Sequence, residues 1–402
     1  MHGARTRGQT AALDAIAAMV RGQSPPHAIL LVGPDGVGKT TLALDLAAGL
    51  LCLADPDARP CRACRACLMV EHDGHPDVHR LAPAGPGRQV VIGGPEARYR
   101  GVRDLIAELA LMPVEGRARV AIVEGAERMN EDAQSALLKT LEEPPAGVVI
   151  VLCADQETRL LPTVRSRCAR IRLGLLGARD IEAIVADHDL ADPPLAARLG
   201  RLAAGRPGLA LAYARAPEAV LIRAELSRVL LDLTGAGSAA RLAAVRAAIP
   251  RAIALTAALT ARDDGEATAR LTRRRGRTAA AVTPSAGSAG SEPTDGATDE
   301  PGDGRLPVVP ATERRRAAEV LVTLWADVAR DLALVAAGGG RSVRDAVLLE
   351  ELAVVAATVE PGAIAGFLDR AARGVELLVS NVSPELLLDS LALAWPRHRV
   401  AA

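Results

Sequence analysis

Residues 27–40 read His27-Ala-Ile-Leu-Leu-Val32 followed by Gly33-Pro-Asp-Gly-Val-Gly-Lys-Thr40. The first part is an aliphatic run that predicts a buried strand. The second fits G-x-x-x-x-G-K-[ST], and an apolar helical pattern continues from it to about Leu50. A glycine-rich loop between a strand and a helix is the setting in which this motif binds phosphate. Gly33, Gly36 and Gly38 let backbone N–H groups turn inward around phosphate oxygens, and the helix N-terminus adds a favourable dipole. Lys39 is expected to reach the β- and γ-phosphates of ATP. Thr40, followed by Thr41, is expected to supply the hydroxyl that ligates Mg²⁺.

On either side the same architecture continues. Arg100–Met112 has helical periodicity, Arg119–Glu124 reads as strand, Asn130–Leu141 as helix and Val148–Leu152 as strand. Strands separated by helices predict an α/β domain with a parallel sheet covered on both faces. A P-loop ATPase needs an Asp at the end of the next strand for Mg²⁺, usually followed by a Glu that activates water. This strand ends Ala121-Ile-Val-Glu124-Gly125-Ala-Glu127. Glu124 stands in for the Asp, Gly125 occupies the place of the catalytic Glu, and Glu127 reads as a helix-start carboxylate near Asn130. The pattern supports a nucleotide pocket better than a hydrolytic motor.

Between the P-loop helix and the next strands lie Cys52, Cys61, Cys64 and Cys67, spaced C-x₈-C-x₂-C-x₂-C. Two consecutive C-x-x-C steps put thiolates on a tight turn and the fourth closes a tetrahedron, the arrangement of structural Zn²⁺. A redox C-x-x-C is the competing reading, disfavoured by the clustering of four thiols. His72, His75 and His79 follow closely and are spare ligands at most.

From about Leu175 the pattern is helical throughout, with residues 178–213 forming a small segment and 214–402 a longer one. Within the latter, 276–311 follows Arg273-Arg-Arg-Gly-Arg277 into an Ala/Ser/Gly/Thr/Pro/Glu/Asp-rich run, which predicts a disordered insertion. Aromatic residues make up 1% of the chain, so the cores must be aliphatic. Lys and Arg total 48 against 48 Asp and Glu, which argues against a protein that grips DNA unaided. No uninterrupted apolar run of membrane-spanning length stands out, and the expected location is cytoplasmic.

Downstream of the P-loop, Asn130–Pro145 reads NEDAQSALLKTLEEPP, and Ser166-Arg167-Cys168 comes later. In this order they closely resemble the clamp-loader branch of the AAA+ ATPases, strongly over residues 8–173 and weakly to the C-terminus, where Asn381–Leu388 (NVSPELLL) resembles the last collar helix. The resemblance implies an AAA+ domain over 1–174 with a zinc module at 52–67, a helical lid over 175–213 and a collar over 214–402. It implies that Arg167 is an arginine finger reaching the γ-phosphate held by a neighbouring subunit. It also implies a ring of gamma/tau and delta partners that places a sliding clamp on primed DNA as part of the DNA polymerase holoenzyme. Near Cys153–Asp155 there is no clear Thr or Asn for the first sensor. In Gly205–Leu211 the second-sensor Arg position is Gly208, with Arg206 two residues off. These departures resemble a stator subunit with weak or absent ATPase activity. The alternative is a gamma/tau-like subunit with its own hydrolysis, against which stand Gly125 and the lack of a long tail after the collar.

Overall fold

Strand β1 (Ala28–Val32) forms on the aliphatic run and lies between β4 (Val148–Ala154) and β5 (Ala169–Arg172). With β2 (Val78–Leu81) and β3 (Arg119–Val123) they make a parallel five-stranded sheet in the order β2-β3-β4-β1-β5. The computed structural model describes residues 3–22, 25–84, 89–95, 97–115, 118–279, 310–379 and 382–399. They fall into two units, Met1–Arg215 and Ala216–Ala402.

Alternation along the strands builds two cores. Ile29, Leu31, Ile122, Val151 and Cys153 point to the face covered by α1 (Thr10–Arg21), α2 (Lys39–Leu51) and α3 (Arg65–Glu71). Leu30, Val123, Ile150 and Leu152 point to the other, covered by α4 (Val102–Leu109), α5 (Glu131–Glu142) and α6 (Pro162–Arg165). This is the doubly covered parallel sheet that the sequence predicts. The edge strands β2 and β5 are the two that periodicity does not reveal. Each is four residues long and carries arginines, Arg80 in one and Arg170 and Arg172 in the other. Helix α4 is shorter than expected, and Arg119, at the start of β3, donates to the Met112 carbonyl at 2.5 Å in the chain leaving it. Helix α5 begins where Asn130 accepts the Ala133 N–H at 3.0 Å, and Glu131 and Asp132 in its first turn complement the helix dipole. Three further helices, α7 (Ala178–Asp187), α8 (Pro193–Leu202) and α9 (Pro207–Arg215), complete the first unit.

The second unit is helical: α10 (Pro217–Asp232), α11 (Ser238–Ala279), α12 (Ala311–Ala336), α13 (Leu349–Thr358), α14 (Pro361–Val379) and α15 (Pro384–Ala394). The fully buried Arg241 of α11 donates to the Ala392 and Trp395 carbonyls at 3.1 and 2.6 Å, a cation seated on the C-terminal end of α15. Phe367 meets Trp395 edge-on with ring centroids 4.8 Å apart. Ser238–Thr260 is long and apolar enough, by length and composition, to cross a membrane, yet here it packs on α10, α12 and α15. The stretch 276–311, expected to be a disordered insertion, lies outside the described residues except at its two ends.

One buried carboxylate joins three segments of the first unit. Asp45 of α2 is fully buried and accepts the Arg5 and Thr6 N–H groups at 3.0 and 2.8 Å. It also pairs with Arg62, whose Nε donates to the Gly3 carbonyl at 2.7 Å. The N-terminal segment, the P-loop helix and the loop between Cys61 and Cys64 therefore share one anion. Removing it strands a guanidinium and two amides, and breaking such a buried pair from one side costs about 3–5 kcal/mol. Asp45→Ala is expected to destabilise the first unit by about that amount in chemical denaturation followed by circular dichroism, and Asp45→Asn by less. A loss below about 1 kcal/mol for Asp45→Ala would contradict this role.

Candidate functional site

In the order β2-β3-β4-β1-β5 the C-terminal ends of β3, β4 and β1 are neighbours, so the residues that follow these strands converge. After β1 comes the P-loop. Gly36 and Gly38 have φ of +75° and +99°, backbone conformations that favour glycine and turn successive N–H groups into a cradle. Gly33 precedes them and, with Pro34, turns its carbonyl onto Lys39. Gly38 is the N-cap of α2, and Lys39, Thr40 and Thr41 form its first turn. The loop glycines and the helix start that follows them are of the residue types that fit the phosphates of a nucleotide.

The charged groups are arranged differently from the expectation. Glu124, after β3, is held by Arg80 of β2 at 2.6 and 3.0 Å. Burial by itself would lower the Arg80 pKa, but pairing with Glu124 and Asp73 raises it, so this cation is firmly charged. The carboxylate that meets Lys39 is Asp155, after β4, at 2.6 Å. Glu127 does not serve the start of α5 at Asn130: it lies buried in the 3₁₀ turn Ala126–Arg128 and accepts the Asp155 N–H at 3.2 Å. Sequence reasoning thus missed the role of Asp155 and misassigned Glu127. Their one signal is position: Asp155 directly follows β4, the neighbour of the P-loop strand, and Glu127 lies four residues beyond the end of β3. Gly125 lies at φ +59°, where the chain turns out of β3. The start of α9 reaches the loop through backbone, since the Gly208 N–H donates to the Gly36 carbonyl at 2.8 Å.

Arg167 lies at the opposite end of the sheet. Register pairs Ile29 with Ala169 and Val32 with Arg172, so Arg167 stands near the level of His27, where β1 begins. The P-loop follows Val32, roughly 20 Å away at the usual rise of a strand. Arg167 Nη1 donates to the Thr163 carbonyl at 2.9 Å, and Nη2 pairs with Glu142, the last residue of α5, at 2.5 Å. Both side chains are solvent-accessible, at 35% and 49%, so the pair contributes little to stability and is readily exchanged. The finger candidate and the P-loop of this chain are not brought together. Cys168 packs behind it, its thiol on the Val164 carbonyl at 3.3 Å and pushed up to about 11 by burial.

The four cysteines do come together. Cys52 caps the end of α2, Cys64 caps the start of α3, Cys67 lies in its first turn, and all four sulfurs lie within 4.8 Å of one another. Cys52 and Cys64 Sγ are 3.9 Å apart, close to the ~3.8 Å edge of a tetrahedron with Zn–S bonds of about 2.3 Å. Backbone N–H groups of Ala63 and Cys64 hold the Cys61 thiol at about 6, a thiolate at neutral pH. Burial pushes Cys67 up to about 12, which a cation among the sulfurs would reverse. The donor set and its spacing fit a zinc ion. His75 and His79 are engaged elsewhere: His75 Nδ1 accepts the Asp77 N–H at 3.1 Å, and His79 Nδ1 lies 2.7 Å from Glu108.

Residues 8–176 match the family model described as DNA polymerase III, delta subunit. The first unit shares this family's sequence pattern. DNA polymerase III subunit delta' of Pseudomonas aeruginosa is 40% identical over 152 residues, 38% of this chain and 44% of that protein. The delta' subunit of Haemophilus influenzae is 37% identical over 142 residues, 35% of this chain and 41% of its own. The gamma/tau subunit of Mycobacterium bovis is 36% identical over 163 residues, 40% of this chain and 26% of that protein. The chain spans less than half the length of these relatives.

Proposed function

We propose that this chain is the delta-prime, or stator, subunit of a DNA polymerase III clamp loader. In this reading it acts in the cytoplasm within a ring of gamma/tau and delta subunits that loads a sliding clamp on primed DNA. The observation that carries it is the separation of Arg167 from the P-loop across the length of β1 and β5. A cation at that end of the sheet serves a nucleotide held by another subunit, as an arginine finger supplied in trans does. The similarity of residues 8–176 to the polymerase III delta family supports the same assignment.

ATP with Mg²⁺ belongs in the cradle of Gly33, Gly36, Gly38, Lys39, Thr40 and Thr41. When bound it would supply phosphate charge for Lys39 and a metal for Thr40. Hydrolysis by the chain itself is weak or absent, because Glu124 is engaged by Arg80 and Gly125 offers no base. The same two residues speak against a gamma/tau-like subunit with independent turnover. Zinc belongs at Cys52, Cys61, Cys64 and Cys67, where it would fasten the end of α2 to the start of α3 and carry no catalysis.

In a ring reconstituted with its ATPase and delta partners, Arg167→Ala is expected to cut clamp- and DNA-stimulated hydrolysis by about a thousandfold at the site it serves, with assembly intact. Undiminished hydrolysis at that site would refute the finger. Elemental analysis should return about one zinc per chain, lost together with thermal stability when Cys61 and Cys64 are both replaced by Ser. Zinc retained at the wild-type level in that variant would exclude this site.

A further inference from the structure

Lys39 is 8% exposed, and an ammonium has three protons to donate and nothing to accept with. All three directions are used within the chain. Nζ donates to the Gly33 carbonyl at 2.7 Å, to the Pro34 carbonyl at 2.9 Å and to Asp155 Oδ1 at 2.6 Å. The backbone of Asp155 is fixed separately, since its N–H donates to Glu127 Oε2 at 3.2 Å. Asp155 is 30% exposed against 8% for Lys39, so this ion pair is partly shielded from water and stronger than a surface pair.

We propose that Asp155 is an internal competitor for phosphate: it holds the P-loop lysine in place of a nucleotide and thereby sets the affinity of the cradle for nucleoside phosphates. The proposal rests on the nucleotide-binding reading above and concerns the control of that site. A phosphate entering the loop gains its contact with Lys39 only as the ammonium turns away from Asp155. The displaced carboxylate then faces an incoming anion, with the Glu127 carboxylate next to it, and like charges at short range in a half-buried site oppose binding. A polar but neutral side chain at the end of β4 would leave the lysine tethered by a weaker, uncharged bond. The lid adds a second restraint: a Cβ on Gly208 would lie 3.1 Å from the Gly36 carbonyl oxygen, so helix α9 begins in direct backbone contact with the phosphate loop. Asp155 therefore determines how readily this site fills, and Lys39 is the group through which it does so.

The test is calorimetric titration of the full chain with ATP and with ADP, with and without Mg²⁺, for the wild type, Asp155→Asn, Lys39→Ala and the double variant. Thermal unfolding serves as the control for folding. Asp155→Asn keeps the shape of the side chain and an acceptor for Lys39 while removing the charge. It is expected to tighten binding by about tenfold or more, and Lys39→Ala in the same chain should abolish that gain. A gain that survives the loss of Lys39 would overturn the proposal. Unchanged or weaker binding by Asp155→Asn would also overturn it, and if Lys39→Ala still weakens wild-type binding, the nucleotide-binding reading stands alone. If neither wild type nor Asp155→Asn binds either nucleotide, both ideas fall together.

Discussion

The parallel pairing of β1 with β5 is the constraint on which the rest of this chain depends. Because both strands run the same way, the loop that follows one and the turn that precedes the other are forced to opposite ends of the sheet. Gly33–Thr41 must lie at the C-terminal edge, and Ser166–Cys168 at the N-terminal edge. No side-chain rearrangement bridges that gap. The phosphate loop and the Arg167 guanidinium therefore face different surroundings, which is the geometry behind the proposal that Arg167 serves a nucleotide held by a neighbour.

Electrostatics follows the same geometry. Around the sheet several cations are met by a carboxylate from the same chain: Lys39 by Asp155, Arg80 by Glu124, Arg167 by Glu142, and Arg170 and Arg172 by Glu157. This is the local form of the balance of 48 basic and 48 acidic residues. These pairs differ in burial. The Arg167–Glu142 pair is solvated and contributes little, whereas the Lys39–Asp155 pair is partly shielded and correspondingly stronger.

How far the sequence discloses this depends on the range of the interactions. The P-loop is legible because its glycines, Lys39 and Thr40 act within a single turn of chain. The cysteine cluster is legible for the same reason, since its spacing brings the end of one helix to the start of the next. Strands β3 and β4 are legible because both of their faces are buried, whereas β2 and β5 hide behind edge arginines. The partners of the charged residues are not legible. Asp155 lies 116 positions from Lys39, and Asp45 meets Arg5, Thr6 and Arg62 only through tertiary packing. Glu127 misleads, because it lies beside a helix start in sequence but turns to the end of β4 in space. Arg167 is marked by its tripeptide, while its partner Glu142 is one of two adjacent glutamates that the sequence does not tell apart.

The most direct test of this account is the structure of the assembled ring, determined by electron cryo-microscopy with a non-hydrolysable ATP analogue. The account predicts the Arg167 guanidinium within hydrogen-bonding distance of the γ-phosphate held by the adjoining subunit, with Glu142 released from it. Arg167 still paired with Glu142 in every ring, with no nucleotide facing that end of the sheet, would contradict it.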